Sequence, residues 1–477
     1  MRRRSFLAAS GAASVSCARR DRRPNVVVIL TDDQRWDCMS CAGHPFLKTP
    51  HMDRLAAEGL RFRNAFVTTS LCSPSRASLL SGLYAHSHGV TNNFTEYPQG
   101  LDSYPAILRQ AGYRTAYIGK WHMGENNDEP RSGFDHWISH RGQGLYNDTE
   151  FNINGRRRKV SGYYTHVVTE MACDWLKQPR QTPFCLILGH KAPHSANVPE
   201  PKYARIFDDM KIEPPATARD PGRGKGEWVR RRLKTWHGVE GPLYGNHDYG
   251  RFVRTYLATI PSVDDSVGRI YDTLRQTGEL DNTLLVFLAD NGCLLGEHGA
   301  VDKRVMWEES IRVPMLVRYP EAIREAGTRD QMVLNIDLAP SLLDFCGGRP
   351  PAGAHGRSWK PVAARADAPW RRSWHYEYNY ENEFPYTPNV RGVRTDSWKY
   401  IHYPNGAGQA DTELPELYNL AEDPRETNNL AADPSARGKL DELRAELARL
   451  LAETGAAPDN MPVNPRIRFE MPDPKIR

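Results

Sequence analysis

Apolar positions along this chain form unbroken runs in some places and periodic runs in others, and the two kinds predict different elements. Pro24 to Leu30 is a continuous β-branched stretch, and Thr283 to Ala289 a continuous apolar one. Runs without polar alternation mark strands buried on both faces of a parallel sheet. Phe184 to Gly189 predicts a third buried strand, and Tyr113 to Gly119 a further strand. Helical spacing marks Pro50 through Gly59, Leu101 to Gly112, Tyr256 to Gly278 and Pro434 to Glu453. From Pro214 to Asp248 the chain is rich in Pro, Gly, Arg and Lys with little period. That stretch reads as a long excursion over the surface, commonly a substrate wall in an enzyme. Val333 to Leu343 closes a large unit, and Arg349 to Pro369, with charge but no apolar period, reads as a linker. Beyond it, Ser373 to Tyr380, Val390 to Thr395 and Trp398 to His402 read as antiparallel strands, and roughly the last twenty residues look extended. The expected division is an N-terminal segment at 1–23, a large unit at 24–360 and a smaller one at 361–477.

Candidate chemistry gathers where the buried strands end. The first run leads into Thr31-Asp32-Asp33-Gln34 and the second into Asp290-Asn291-Gly292. Carboxyl ends of buried strands are where α/β folds place their ligands. Alone, Asp32 and Asp33 read as two solvated acids in a loop; the second acidic strand end makes them a candidate site. Three carboxylates and one amide, without His or Cys, suit calcium or magnesium far better than zinc. Buried acids of one sign repel unless a cation neutralises them. Lys120 and His122 flank Trp121 after the Tyr113–Gly119 strand, and alternation puts them on one side. After Phe184–Gly189 comes His190-Lys191-Ala192-Pro193-His194, where Pro193 stiffens the turn that aims His194. His190 reads as structural.

Leu71 to Gly82 predicts a short helix with Ser73 as its cap, Pro74 in first position, an apolar stretch from Ala77 to Leu80 and Gly82 as its stop. Cys72 then stands just outside a helix N-terminus, a place that favours an anion, with Arg76 in the first turn. Two readings of Cys72 stay open on these grounds: an activated thiol serving an anionic substrate, or a buried structural cysteine.

Cys72, Pro74, Ser75, Arg76, Leu79 and Gly82 together resemble the signature of the type I sulfatases. In that family a maturation enzyme oxidises the cysteine to formylglycine, whose hydrate is the nucleophile. The resemblance continues in motif order from about Asn25 to Leu430. It implies an alkaline-phosphatase-like α/β fold, with a large mixed sheet flanked by helices and a smaller C-terminal antiparallel α+β subdomain. It implies one divalent cation, usually calcium and less often magnesium, held by Asp32, Asp33, Asp290, Asn291 and the modified Cys72. The implied catalytic set is Cys72, Arg76, Lys120, His122, His194, Asp290 and Lys303. The cation lowers the pKa of a hydrate hydroxyl and Asp290 takes its proton. Lys120, Lys303 and Arg76 hold the sulfate charge, and His194 protonates the departing sugar oxygen. A sulfated enzyme results, from which His122 expels sulfate by deprotonating the second hydroxyl. The rest of the run from Gly296 to Pro314 reads as scaffold.

Several segments resemble the N-acetylglucosamine-6-sulfatase branch: Gly119 to Gly124, Gly133 to Trp137, Gly142-Gln143-Gly144, Trp236 to Val239, and Tyr376-Glu377-Tyr378 with Phe384-Pro385. A sugar pocket needs aromatic walls and a few hydrogen-bonding groups, which makes Trp236, His237 and Glu377 the candidate sugar contacts. Aromatic residues there fit the core of a domain interface equally well. The competing readings are another carbohydrate sulfate specificity, a phosphate-ester or phosphonate hydrolase of the same fold, and a non-catalytic carbohydrate-binding protein. The phosphate enzymes would normally have Thr or unmodified Ser at position 72, and every catalytic position expected of a sulfatase is filled here.

Composition changes this picture little. At 477 residues, 39% hydrophobic and 25% charged, the chain suits a globular enzyme with one large domain and a smaller one. No apolar run reaches membrane-spanning length. Arg3-Arg4-Ser5-Phe6-Leu7 is similar to the twin-arginine export motif and precedes a short Ala-rich run, so export to the periplasm or cell envelope is expected. Ser14-Val15-Ser16-Cys17 is a poor lipoprotein box that leaves a lipid anchor at Cys17 open. Arg2, Arg3 and Arg4 supply three charges of the net +5, and cleavage before Cys17 leaves +2. Global charge therefore gives no reason to expect a nucleic-acid partner. The eight cysteines are scattered, and Cys38-Met-Ser-Cys41 lacks the second pair that a structural zinc site needs.

Overall fold

Val26, Val28 and Leu30 face one way from the strand Asn25–Thr31, Val27 and Ile29 face the other, and all five are buried. A strand that buries both of its faces needs a layer on each side, which is why this run shows no polar alternation. In the computed structural model it is a central strand of a ten-stranded sheet. Its neighbours are Thr283–Ala289 and Phe184–Gly189, followed on the latter side by Arg114–Gly119 and His136–Ser139, all parallel. Antiparallel strands extend both flanks, so the sheet is mixed. The helices Pro50–Glu58, Tyr164–Leu176 and Tyr249–Gln276 cover the Val27 face, and Cys72–Ser81, Tyr104–Gln110 and Leu338–Phe345 the other.

The structure describes residues 23–462 except 220, 243–247, 407, 408, 458 and 460. The export motif, Cys17 and most of the extended C-terminal reading lie outside the described residues. Among the described residues, no helix is long and apolar enough to cross a membrane.

The smaller sheet pairs Ser373–Tyr378, Val390–Thr395, Trp398–His402 and Glu416–Asn419 in antiparallel order. Only the last of these escaped the sequence reading. Helix Arg437–Glu453 closes one face of this sheet by setting Leu440, Leu443 and Leu447 on Val393, Tyr400 and Leu417. On the other face, Trp374, Tyr376 and Tyr378 join Phe66 and Trp307 in a core shared with the large unit.

Four expectations change. The helix expected from Tyr256 starts at Tyr249, because the Asp248 carboxylate accepts the Arg251 N–H at 3.0 Å and caps it there. The helix expected over Leu101 to Gly112 is confined to Tyr104–Gln110. The 214–248 excursion is anchored: Trp228 is buried and stacks on Trp307 with ring centroids 6.1 Å apart. Within the expected linker, Trp359 and Val362 are fully buried against the large sheet's core, with Trp359 edge-on to Phe62. Single large side chains without a period leave no pattern to read, yet each buries enough apolar surface to pin its segment.

Candidate active site

Register brings the acids together. Thr31 pairs with Ala289 across two parallel strands, so Asp32 and Asp290 leave the sheet side by side. Asp33 has φ +65°, and this left-handed turn directs its backbone N–H to Asp290 Oδ1 at 3.1 Å. Gly119 and Gly189 pair in the same way on the next strands, delivering Lys120 and the His190–His194 loop to the same edge.

The signature helix runs Cys72–Ser81 and meets this edge with its first turn. It differs from the expected cap. Leu71 is the N-cap, Cys72 is the first helical residue, and the Ser73 hydroxyl donates to the His122 carbonyl instead. Gly82 does end the helix, at φ +74° with its N–H on Ser78 O. The Cys72 thiol lies 3.4 Å from Asp32 Oδ1 and is wholly buried. Burial pushes its pKa well above that of a free thiol, which argues against an activated thiol.

Cations interleave with the acids. Lys120 Nζ bonds Asp32 Oδ2 and Gln143 Oε1, while Lys303 Nζ donates to both Asp33 oxygens at 2.6 Å. Arg76 Nε reaches Asp290 Oδ2 at 2.8 Å and its Nη1 reaches the Lys120 carbonyl at 2.6 Å. Its Nη2 is buried without a partner. Burial disfavours the Asp32 charge, but Lys120, His194, Arg76 and Lys303 outweigh it and hold the carboxyl well below the usual range. For Asp290, burial and the Asp32 charge prevail over Arg76 and raise the pKa to about 7.

Among the described residues, ligand atoms of Asp32, Asp33, Cys72 and His194 lie within 4.8 Å of one another. Asn291 donates its Nδ2 to Asp33 Oδ1 at 2.6 Å, which leaves its buried Oδ1 without a partner beside the acids. An orphaned amide oxygen among carboxylates is the donor set that a hard divalent cation takes. The residues present therefore fit such an ion.

Both expected histidines are here, though not through strand alternation. His122 has φ +51°, so a turn sets its direction, with Nε2 2.9 Å from Glu125 Oε1. Burial and Lys120 push its pKa well down, which keeps it neutral. His194 Nε2 stands 3.7 Å from Asp33 Oδ2. His190 bonds Ser266 at 3.1 Å on the packed side, as expected of a structural residue.

Residues 24–348 match the sulfatase family pattern, and 296–453 match that of the N-sulphoglucosamine sulphohydrolase C-terminal region. The chain is 35% identical, over 91% of its length and 86% of the relative's, to an N-acetylglucosamine-6-O-sulfatase of Bacteroides thetaiotaomicron. It belongs to the sulfatase family. The human N-acetylglucosamine-6-sulfatase is 31% identical over 88% of this chain and 83% of its own. A solved structure in complex with its substrate D-glucosamine-2-N,6-O-disulfate superposes with a TM-score of 0.84 at 33% identity, covering 91% of this chain and 99% of that one. The architecture is the alkaline-phosphatase-like sulfatase fold, and the enzyme is a sulfuric ester hydrolase.

The three expected sugar contacts of this sulfatase separate. His237 is buried beside the Lys303 end of the site, its Nε2 3.5 Å from Asp302 Oδ2 and its ring stacked on Phe384 at 5.6 Å. Trp236 is half-buried next to it. Glu377 is a correction. Tyr376 faces the signature loop, its hydroxyl 2.6 Å from Ser70 Oγ, so strand alternation turns Glu377 the other way. There its carboxylate takes the His86 N–H at 3.0 Å and pairs with His86 Nδ1 at 2.9 Å. With both oxygens engaged in a buried pair, Glu377 is a structural residue.

Sequence reasoning assigned no role to Gln143 or Lys191. Gln143 sits between Gly142 and Gly144, both at positive φ, in a turn that carries it to Lys120. The Gly-Gln-Gly spacing was the available signal. Lys191 Nζ bonds the Gln143 carbonyl at 3.3 Å, and burial together with Lys120 lowers its pKa to about 7. Nothing in the sequence distinguishes it from a surface lysine.

Proposed function

We propose that this sulfatase removes the 6-O-sulfate of N-acetylglucosamine from a glycan in the periplasm or cell envelope, after a maturation enzyme has converted Cys72 to formylglycine. The observation that carries the substrate reading is near-full-length similarity to N-acetylglucosamine-6-sulfatases, together with the likeness to the glucosamine disulfate complex. Because Cys72 is wholly buried in the folded chain, this reading places its oxidation before folding is complete.

Asp32, Asp33, Asp290 and Asn291, with the modified Cys72, would hold the divalent cation; every donor is a hard oxygen, which suits calcium or magnesium, and the family resemblance favours calcium. That cation supplies Lewis-acid polarisation, and formylglycine supplies the hydroxyl that attacks sulfur. The protein's own groups do the rest. Asp290, at the edge where the signature helix meets the strand ends, accepts the attacking hydroxyl's proton. Lys120, Lys303 and the unpartnered Nη2 of Arg76 hold the sulfate oxygens in a dry, preorganised site. His194 protonates the departing sugar oxygen. Burial keeps this imidazole neutral in the free site, and the negative charge of sulfate favours the protonated form that the step requires. His122, neutral and next to Lys120, takes the proton of the remaining hydroxyl as sulfate leaves. His237 and Trp236 flank the sugar from the Lys303 side.

Relative kcat/KM on 6-sulfated N-acetylglucosamine against 4- and 2-sulfated sugars and an aryl phosphate tests this reading. At least a hundredfold preference for the 6-sulfate is expected. Faster turnover of the phosphate would overturn it in favour of the phosphate-ester alternative.

A further inference from the structure

A second group of metal-ligating side chains lies apart from the Cys72 acids: His298, Glu309 and Glu426, whose ligand atoms fall within 4.8 Å of one another. They come from three separate segments. His298 sits in the 297–299 turn at φ +54°, Glu309 in the short helix Glu308–Ile311, and Glu426 in the loop after the last strand of the small sheet, also at φ +54°.

The imidazole decides the chemistry. His298 is 1% exposed, and its Nδ1 lies 3.0 Å from the Pro221 carbonyl. A carbonyl only accepts, so Nδ1 carries the proton and Nε2 presents a lone pair. That Nε2 is buried without a partner, and so is Glu309 Oε2. The two atoms do not bond each other. Fixing one ring nitrogen on a carbonyl is also how metal-binding histidines are commonly oriented. The third member, Glu426, receives the Glu308 N–H on Oε2 at 2.8 Å and has Lys399 Nζ 2.7 Å from Oε1.

Of the other charges nearby, Lys225 pairs with Glu416, Arg35 with Glu297 and Arg394 with Glu308, while Lys399 is shared between Glu308 and Glu426. Burial and the Glu297 charge, against the pull of Arg35, raise the Glu309 carboxyl to about 8, so it releases a proton when it takes a cation.

We propose that His298, Glu309 and Glu426 form a second cation site that takes zinc or a similar borderline transition ion, with water as the fourth ligand, and so ties the small sheet to the catalytic unit. One imidazole with two carboxylates suits zinc, whereas the oxygen donors around Cys72 select a hard ion. Zinc at about 2.0–2.1 Å from each ligand sets the ligands roughly 3.3 Å apart, so the present spread closes with side-chain shifts of about an ångström.

The wild-type enzyme, loaded with zinc chloride, dialysed and crystallised, tests this by anomalous diffraction at the zinc edge. A peak bonded to His298 Nε2 is expected, resolved by position from any ion at Cys72. Zinc should also raise the melting temperature of the wild type by about 2 °C or more, but not that of Glu309→Gln. An empty peak position in the wild type, or Glu309 hydrogen-bonded directly to His298, overturns the proposal and leaves the sulfatase reading untouched.

Discussion

Replacing Arg76 with lysine keeps the charge but removes the fork. The guanidinium serves three directions: Nε to Asp290 Oδ2 at 2.8 Å, Nη1 to the Lys120 carbonyl at 2.6 Å, and Nη2 to no protein group. One ammonium cannot reach all three. If the ammonium of Arg76→Lys stays with Asp290, the Lys120 carbonyl still receives the Tyr117 hydroxyl, so the stability cost is about 1 kcal/mol for one hydrogen bond. The Nη2 position, however, goes empty. Losing one preorganised donor to a developing anion costs about 10²–10³ in kcat. Arg76→Met removes the counter-charge of a buried carboxylate as well, and costs about 3–5 kcal/mol of stability. The assays are kcat/KM on the 6-sulfated sugar and urea denaturation of each variant. If folded Arg76→Lys stays within threefold of the wild type, Nη2 does not face the sulfate and the assignment of Arg76 is wrong.

Cys72→Ser should give one turnover or none, because an ordinary serine ester cannot expel sulfate as the aldehyde hydrate does; steady multiple turnover on rapid quench refutes the formylglycine reading. Peptide mass spectrometry across Cys72 in the active wild type should find aldehyde in place of thiol. Chelation of divalent cations should abolish activity, with calcium restoring more of it than magnesium; recovery with zinc alone contradicts the oxygen-donor argument. Glu377→Gln should lower stability without changing KM for the sugar. Burial opposes the Glu377 charge, but the bond to His86 prevails and holds its pKa at about 2, while Glu377 in turn raises that of His86. The carboxylate's share is present above about pH 4.5 and lost as pH falls toward 2, and the imidazole's is present below about pH 6.5 and lost above it. The stability gap between wild type and Glu377→Gln should therefore be widest between those two values; a gap that is flat with pH contradicts the pairing.

Much of the site was legible because chemistry here is tied to strand ends. A buried strand has to be apolar throughout, so the first polar residues after Leu30 and Ala289 stand out, and parallel register then makes them neighbours in space. The same logic marked Lys120 and His194 as ends of adjacent strands. The Cys72 signature and Lys303 were legible only through family resemblance, since their spacing alone fits several fates.

What the tertiary structure decided are contacts between segments far apart in sequence. The fold argues against an activated thiol, because it buries Cys72 among acids before any helix dipole can act on a solvated anion. Glu377 turns toward His86 because Tyr376 is claimed by Ser70, a partner 306 residues distant. Trp228 and Trp359 pin apparently loose segments to the core with one side chain each, and the gap between His298 and Glu309 exists only once three segments converge. Local periodicity encodes which face of an element is buried. It carries no record of which distant group completes a charge or a hydrogen bond, and those pairings set the protonation states on which this sulfatase depends.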